Sequence, residues 1–204
     1  MVGGWTARVR DHVSPQLLLL GGRSGSGKTT VAHEVSVRLR ELRVAHCHVE
    51  GDNLDAAYPK AADDPRGSRL TEMNLAALWR NYRAIGHHRL LYVNTASVLE
   101  PQMITRAMGA DGLGEIHLVA VELTARDETV AARLAAREGG SALAWHVERS
   151  PRMARVWARR SPRTTLRVGT DHRDVTSVAA EVIDLSGWAR PPRSSAAPRS
   201  RPGR

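Results

Sequence analysis

The sequence predicts an α/β protein with three layers, α/β/α, around a five-stranded parallel sheet. Three observations predict it. Short apolar runs alternate along the chain with segments of helical period, the pattern of repeated βαβ units. Residues 17–30 read Leu-Leu-Leu-Leu-Gly-Gly-Arg-Ser-Gly-Ser-Gly-Lys-Thr-Thr, a buried-strand run, a glycine-rich turn and the start of a helix. At 204 residues the chain suffices for one α/β domain with a full core.

The elements follow in order. Residues 1–15 lack a clear period and end at Pro15, so they read as a leader. Leu17–Leu20 is the first strand, and Val31, Val35, Leu39 and Leu42 mark a helix from about Lys28. Val44–Glu50 reads as the second strand, stopped at Gly51-Asp52-Asn53. Residues 55–70 are polar and interrupted by Pro59, Pro65 and Gly67, a long irregular insert of the kind that often carries function. Leu75, Leu78, Trp79, Tyr82 and Ile85 predict an amphipathic helix beginning near Thr71 and Asn74 and ending at Gly86. Arg89–Val93 is the third strand. A helix follows Pro101, which suits a first turn, and Gly109, Gly112 and Gly114 break it. Ile116–Leu123 is the fourth strand, Asp127 opens a helix stopped at Gly139-Gly140, and 142–149 and 152–160 are helical around Pro151. Leu166–Val168 is the fifth strand and Val175–Ile183 the last helix. Right-handed crossovers then put helices on both faces.

Composition excludes several classes. Hydrophobic residues make up 42%, but aromatics only 4% with no phenylalanine, so Leu, Val, Ala and Ile must fill the core. No run of 18 apolar residues is present, and four leucines are too few for a signal-peptide core. The expectation is a cytoplasmic protein with no membrane partner. One cysteine, Cys47, precludes an internal disulfide and a Cys-rich zinc site. His87-His88, at a helix end without Cys or carboxylate neighbours, reads as a C-terminal cationic pair rather than a metal site. Of the net charge of +9, five arginines fall in the Pro/Ser/Ala-rich stretch 190–204. Residues 188–204 are therefore expected to be a disordered basic tail, whose contact with nucleic acid would be non-specific.

Gly22, Gly27, Lys28 and Thr29 fit G-x-x-x-x-G-K-[ST] at each fixed position. The physical reading is a phosphate cradle. Glycines let backbone N–H groups of 22–30 turn inward. The helix adds its positive end. Lys28 reaches the β- and γ-phosphates, and the Thr29 hydroxyl can ligate Mg²⁺. Gly22, Ser24, Gly25, Ser26, Gly27, Lys28, Thr29 and Thr30 are thus the candidate nucleotide contacts. The fold implied is that of the P-loop NTPases. Within that group the chain lacks the Asn-Lys-x-Asp guanine reader, since its two lysines are Lys28 and Lys60. It also lacks an apolar strand ending in Asp-Glu: strand three ends in Val93-Asn94-Thr95.

Val49-Glu50-Gly51-Asp52-Asn53-Leu54 puts a carboxylate just past strand two, where it can orient or deprotonate an acceptor hydroxyl or help hold Mg²⁺. Here the chain resembles the small-molecule and nucleotide kinases of the phosphate-loop class. Gly51-Asp52-Asn53 resembles the adenylylsulfate kinases, and the layout is similar to gluconate and shikimate kinases. The resemblance implies a place for Asp52 at the acceptor or the metal. A helix N-cap is the competing role, and Glu50 is a weaker candidate for the same chemistry. Arg133 and Arg137 match the R-x-x-x-R of nucleoside monophosphate kinases, which implies that Arg133 stacks on adenine and Arg137 faces the transferring phosphate. A solvated face paired with Glu128 or Glu138 is the alternative. The arginines between 149 and 167 read either as a lid over 141–165 or as a basic solvated helix. Thr170 and Asp171, after strand five, are candidates for the adenine edge.

The resemblance covers about residues 16–185, within a domain expected over 16–187, and implies an ATP- and Mg²⁺-dependent kinase. It would move the γ-phosphoryl group to a small metabolite or nucleotide held among residues 53–83, with Asn53, Arg69 and Tyr82 as candidate contacts. Lys28, Asp52 and Arg137 would be catalytic, with Thr29 and Asp52 at the metal. Two other functions stay open: an ATP-binding regulator or slow NTPase, and a nucleic-acid end kinase or binder.

Overall fold

A computed structural model describes residues 13–109, 115–137, 155, 157 and 159–189, with side chains of the fourth helix described to residue 136. Five parallel strands, β1 (Gln16–Gly21), β2 (Cys47–Glu50), β3 (Arg89–Val93), β4 (His117–Thr124) and β5 (Leu166–Gly169), form one sheet in the order β2-β3-β1-β4-β5. The chain runs from central β1 out to β2, returns to β3, then crosses to β4 and β5. The carboxyl end of β1 is therefore where the winding reverses, the position at which open α/β sheets bind ligands. Register aligns that edge: Leu20 pairs with Val93, Glu50 with Val93, Gly21 with Glu122, and Thr124 with Gly169.

Alternate residues of β1 feed two cores, as the pleat requires. Leu18 and Leu20 face α1 (Lys28–Glu41) and α5 (Val175–Ser186), packing with Val31, Val35, Leu39, Val178 and Val182. Leu17 and Leu19 face α2 (Ser68–Ala84) and α3 (Pro101–Gly109), packing with Leu75, Trp79, Ile104 and Met108. The helix α4 (Asp127–Arg137) covers the glycine-rich turn instead, through buried Val130 and Leu134. This is the expected three-layer α/β/α architecture.

Boundaries differ where tertiary contacts intervene. β2 begins at Cys47, not Val44, because Val44 N–H bonds the Leu39 carbonyl at 2.8 Å and the His46 ring bonds the Val44 carbonyl, finishing the turn after α1. α2 begins at Ser68 after left-handed Gly67, one turn before Thr71, and Thr71 is buried inside it. Ile85 lies past its end and is 72% exposed, so the apolar stripe stops at half-buried Tyr82. Gly187 turns the chain so that Trp188, within the expected tail, joins the core of α1 and α5. Cys47 is buried, and its thiol is pushed up to about 12 by that burial. No described helix is long and apolar enough to cross a membrane. The leader 1–12, most of 141–165 and the tail from 190 lie outside the described residues.

Candidate active site

The site is built on the turn after β1. Its backbone needs glycine: Gly22 has φ +144°, and a Cβ there would sit 2.5 Å from the Leu123 carbonyl oxygen. Gly25 has φ +83°, and a Cβ there would sit 2.8 Å from Val130 Cγ1. The turn is thus pressed between β4 and α4, with no room for a side chain. Gly27, also left-handed, precedes α1, and Lys28 is the first helical residue. Ser26 is fully buried and its Oγ has no hydrogen-bond partner within the described protein.

A cavity of about 470 Å³ opens over this turn. Ser24, Gly25, Ser26, Gly27, Lys28, Thr29 and Thr30 line one wall. The expected nucleotide contacts are therefore contiguous, except Gly22, whose part is to turn the chain. Thr170 and Arg133 form the opposite wall. Arg133 donates from Nη1 to Thr170 Oγ1 at 2.9 Å and from Nη2 to the Thr170 carbonyl at 2.8 Å, and it approaches the Gly25 carbonyl at 3.4 Å. Thr170, itself buried, bonds back to the Ser26 and Thr124 carbonyls, each at 3.2 Å. Asp171 lies next to this wall rather than in it. Its carboxylate accepts the Thr129 hydroxyl and the Arg126 N–H, the latter at 3.0 Å, and these bonds hold it below the usual carboxylate range.

Asp52 enters the same cavity from beyond β2, in the 3₁₀ turn Gly51–Asn53. Its Oδ1 accepts the Thr95 N–H at 3.3 Å, joining the ends of β2 and β3. Asp52 therefore does not cap a following α-helix. Glu50, the last residue of β2, lies beside the Thr29 wall: its carboxyl accepts the Thr29 hydroxyl and feels Lys28. Burial and the neighbouring Asp52 outweigh these and raise its pKa. One hydroxyl and two carboxylates, all hard oxygen donors, fit Mg²⁺, which keeps water and phosphate in most of its coordination shell. No group of three His, Cys, Asp or Glu side chains among the described residues is arranged to hold a metal by itself, and this includes His87-His88.

The acceptor candidates disperse. Asn53 is exposed beside Asp52. Arg69 is exposed and forms a two-pronged pair with Asp63 at 2.7 and 3.0 Å. Tyr82 packs beside the second core and edge-on to His87. Arg137 ends α4, one turn beyond Arg133; its side chain lies outside the described residues. In the arginine-rich segment, Trp157 is buried against the end of β1, and Arg167 is committed to Glu122 at 3.1 Å. The sequence reading missed Arg23, a variable position of the motif. It is 7% exposed, pairs with Asp127 and donates to the Ala125 carbonyl at 2.6 Å, fastening the turn to the start of α4. It also missed Arg173 as a cavity residue, which belongs to no sequence motif, whereas Thr95 lines the cavity at the end of β3, where the strand order places the crevice.

A strand, a phosphate-binding turn and a helix at the reversal point of a β2-β3-β1-β4-β5 sheet define a protein with the P-loop kinase fold. Solved structures with TM-scores above 0.5 agree in fold. A Deinococcus radiodurans tunicamycin resistance protein is 20% identical with a TM-score of 0.57, covering 86% of this chain and 96% of its own. A Sinorhizobium meliloti gluconokinase is 21% identical with a TM-score of 0.52, covering 86% and 93%. The Mycobacterium tuberculosis APS kinase, at 24% identity over 84% and 97%, has a TM-score of 0.49. By sequence, the zeta toxin family model matches residues 5–84, from before β1 to the end of α2. No curated protein matches the chain.

Proposed function

We propose that the protein is an ATP-dependent phosphotransferase that moves the γ-phosphoryl group of Mg-ATP to a hydroxyl of a small metabolite or nucleotide. The observation that supports this most is Asp52. It shares one cavity with Lys28, Thr29 and Arg133, yet it sits at the seam between β2 and β3, where a second molecule can approach.

Lys28 and the N–H groups of the turn hold the phosphates and offset their charge. Thr29 and Glu50, with Asp52 reaching it through water, would hold Mg²⁺, which when bound would neutralise charge on the phosphates. Arg133, fixed by Thr170, forms the wall at the adenine edge, and Arg137 neutralises charge on the transferring group. Asp52 orients the acceptor. Its hydroxyl oxygen bonds the γ-phosphorus as the bond from that phosphorus to the ADP oxygen breaks. The hydroxyl proton passes to the Asp52 carboxylate, and ADP departs. A positioned general base of this kind contributes about 10²–10⁴ in rate.

The test measures ADP release with Mg-ATP across hydroxylated metabolites, nucleosides and nucleotides, beside thermal shifts with ATP and GTP. Acceptor-dependent turnover that Asp52→Asn lowers at least about 100-fold, while the ATP shift remains, supports the reading. An ATP shift with only slow, acceptor-independent hydrolysis supports a nucleotide-binding regulator. No shift with any nucleotide refutes both.

A further inference from the structure

A second cavity, of about 200 Å³, lies beyond the ends of β2 and β3. Residues from the irregular segment, Asp55, Arg66 and Ser68, line one side, and Tyr92, Asn94 and Glu100 line the other. It adjoins the seam that carries Asp52. Thr95, whose N–H bonds Asp52, sits between lining residues Asn94 and Ala96. Gly51, next to Asp52, is so close to Tyr92 that a Cβ there would come 2.2 Å from the phenolic oxygen.

Two properties of this cavity point to a ligand class. The first is an unanswered hydrogen bond. Tyr92 is 1% exposed, and its hydroxyl has no partner within the described protein. A phenol left so in the interior costs free energy that a ligand hydroxyl or amine can recover. The second is charge. Burial first, and then Asp52, Glu100 and Asp55, hold the Tyr92 hydroxyl above the ordinary phenol range. Lys60 answers Asp55 at 2.6 Å, and Arg66 is the one cation in the described lining. With Asp55 answered by Lys60, the lining balances Glu100 against Arg66, and Asp52 at the seam leaves a phosphoryl or carboxylate group there facing net negative charge, with no cluster of guanidiniums to hold it.

We infer that this cavity is the acceptor pocket and that it selects an acceptor by hydroxyl and amine groups, a neutral or amine-bearing polyol, and discriminates against acceptors that already carry a phosphate. The inference rests on the phosphotransferase reading. It narrows the acceptor to the class whose donors match Tyr92, Asn94 and the two lining carboxylates. Asp52 then takes the proton from the hydroxyl that reaches the seam, and the oxygen so freed bonds the γ-phosphorus as ADP leaves.

The experiment uses the full chain with Mg-ATP and matched probe pairs: glucose with glucose 6-phosphate, glucosamine with glucosamine 6-phosphate, and adenosine with AMP. ADP release is read against the acceptor-free rate. The expected result is turnover at least tenfold above that rate with an unphosphorylated member and none with its phosphorylated partner. For that acceptor, Tyr92→Phe lowers kcat/KM about tenfold with the KM for ATP unchanged, and Glu100→Gln raises the KM of an amine-bearing probe more than that of a neutral one. Turnover confined to phosphorylated members overturns the inference. So does equal turnover within pairs, or turnover with none of the six while ATP still shifts the melting temperature. In that last case nucleotide binding stands and only the acceptor class falls. Loss of the ATP shift would instead remove the phosphotransferase reading itself. A Tyr92→Phe protein that melts like wild type and keeps its acceptor kcat/KM also overturns the inference.

Discussion

Removing the Arg133 guanidinium while keeping an apolar stem, as in Arg133→Met, tests the wall of the nucleotide cavity. The side chain makes two well-formed bonds, to Thr170 Oγ1 at 2.9 Å and the Thr170 carbonyl at 2.8 Å, while the 3.4 Å approach to Gly25 is too long to count. A buried hydrogen bond to a charged group contributes about 1.5–3 kcal/mol. Arg133 is half-buried, and solvent screens and replaces part of that, so about 1 kcal/mol each is the appropriate figure. The expected loss is about 2 kcal/mol, a melting temperature lower by about 4–8 °C for a domain of this size. Thr170→Val isolates one of the two bonds, since the carbonyl bond survives it. The Thr170 hydroxyl has one hydrogen, given to either the Ser26 or the Thr124 carbonyl, so it accepts from Arg133 with a lone pair. A double-mutant cycle read by denaturant or thermal unfolding should show a coupling of about 1 kcal/mol. Additivity to within about 0.3 kcal/mol would refute the Arg133–Thr170 contact. An unchanged ATP affinity in Arg133→Met would refute its place in the nucleotide site.

Gly25→Ala forces a left-handed residue and drives a methyl to 2.8 Å from Val130 Cγ1. A loss of about 2–4 kcal/mol is expected, together with a weaker ATP-induced shift, and differential scanning calorimetry checks both. Glu50 has a raised pKa in the folded protein through burial and Asp52. The folded state therefore holds its proton more tightly than the unfolded chain, and stability falls as pH rises from the ordinary carboxylate range through the raised value. Glu50→Gln should accordingly raise the melting temperature of the nucleotide-free protein at neutral pH, with less effect below pH ~4, while it shrinks the shift produced by Mg-ATP. A variant unchanged in both would contradict the assignment. His46, His48 and His88 are held below their ordinary pKa first by burial. Their contribution to stability is present above about pH 6.5 and is lost as pH falls below it. Urea unfolding between pH 7.5 and 5.5 should show this decline, and His48→Gln should flatten it; an equal slope in the variant would exclude His48.

The gluconokinase and the tunicamycin resistance protein share the fold at 20–21% identity, a distance at which a fold persists while acceptors diverge. The acceptor proposed for this chain is accordingly argued from its own residues. Those residues are the buried Tyr92, Asp52 at the seam and the paired Asp55–Lys60.

The sequence alone determined what local rules govern. Gly22, Gly25 and Gly27 specify a left-handed turn, Lys28 and Thr29 follow it on a helix, and alternating apolar runs specify a parallel sheet with helices on both faces. Each of these depends on backbone freedom or on periodicity within some fifteen residues. Asp52 was legible for the same reason, as a carboxylate just past a strand end. Pairings over long sequence separation were decided only by the tertiary structure. Arg23 meets Asp127 across 104 positions, Arg133 meets Thr170 across 37, and Asp52 meets Thr95 across 43. A single arginine looks the same in sequence whether it locks a loop, edges a nucleotide or, as Arg69 does, pairs with a nearby carboxylate in solvent. Sheet order and register decide which strand ends share an edge. That edge brings Tyr92, read from the sequence only as part of an apolar strand, to a cavity wall with its hydroxyl unanswered.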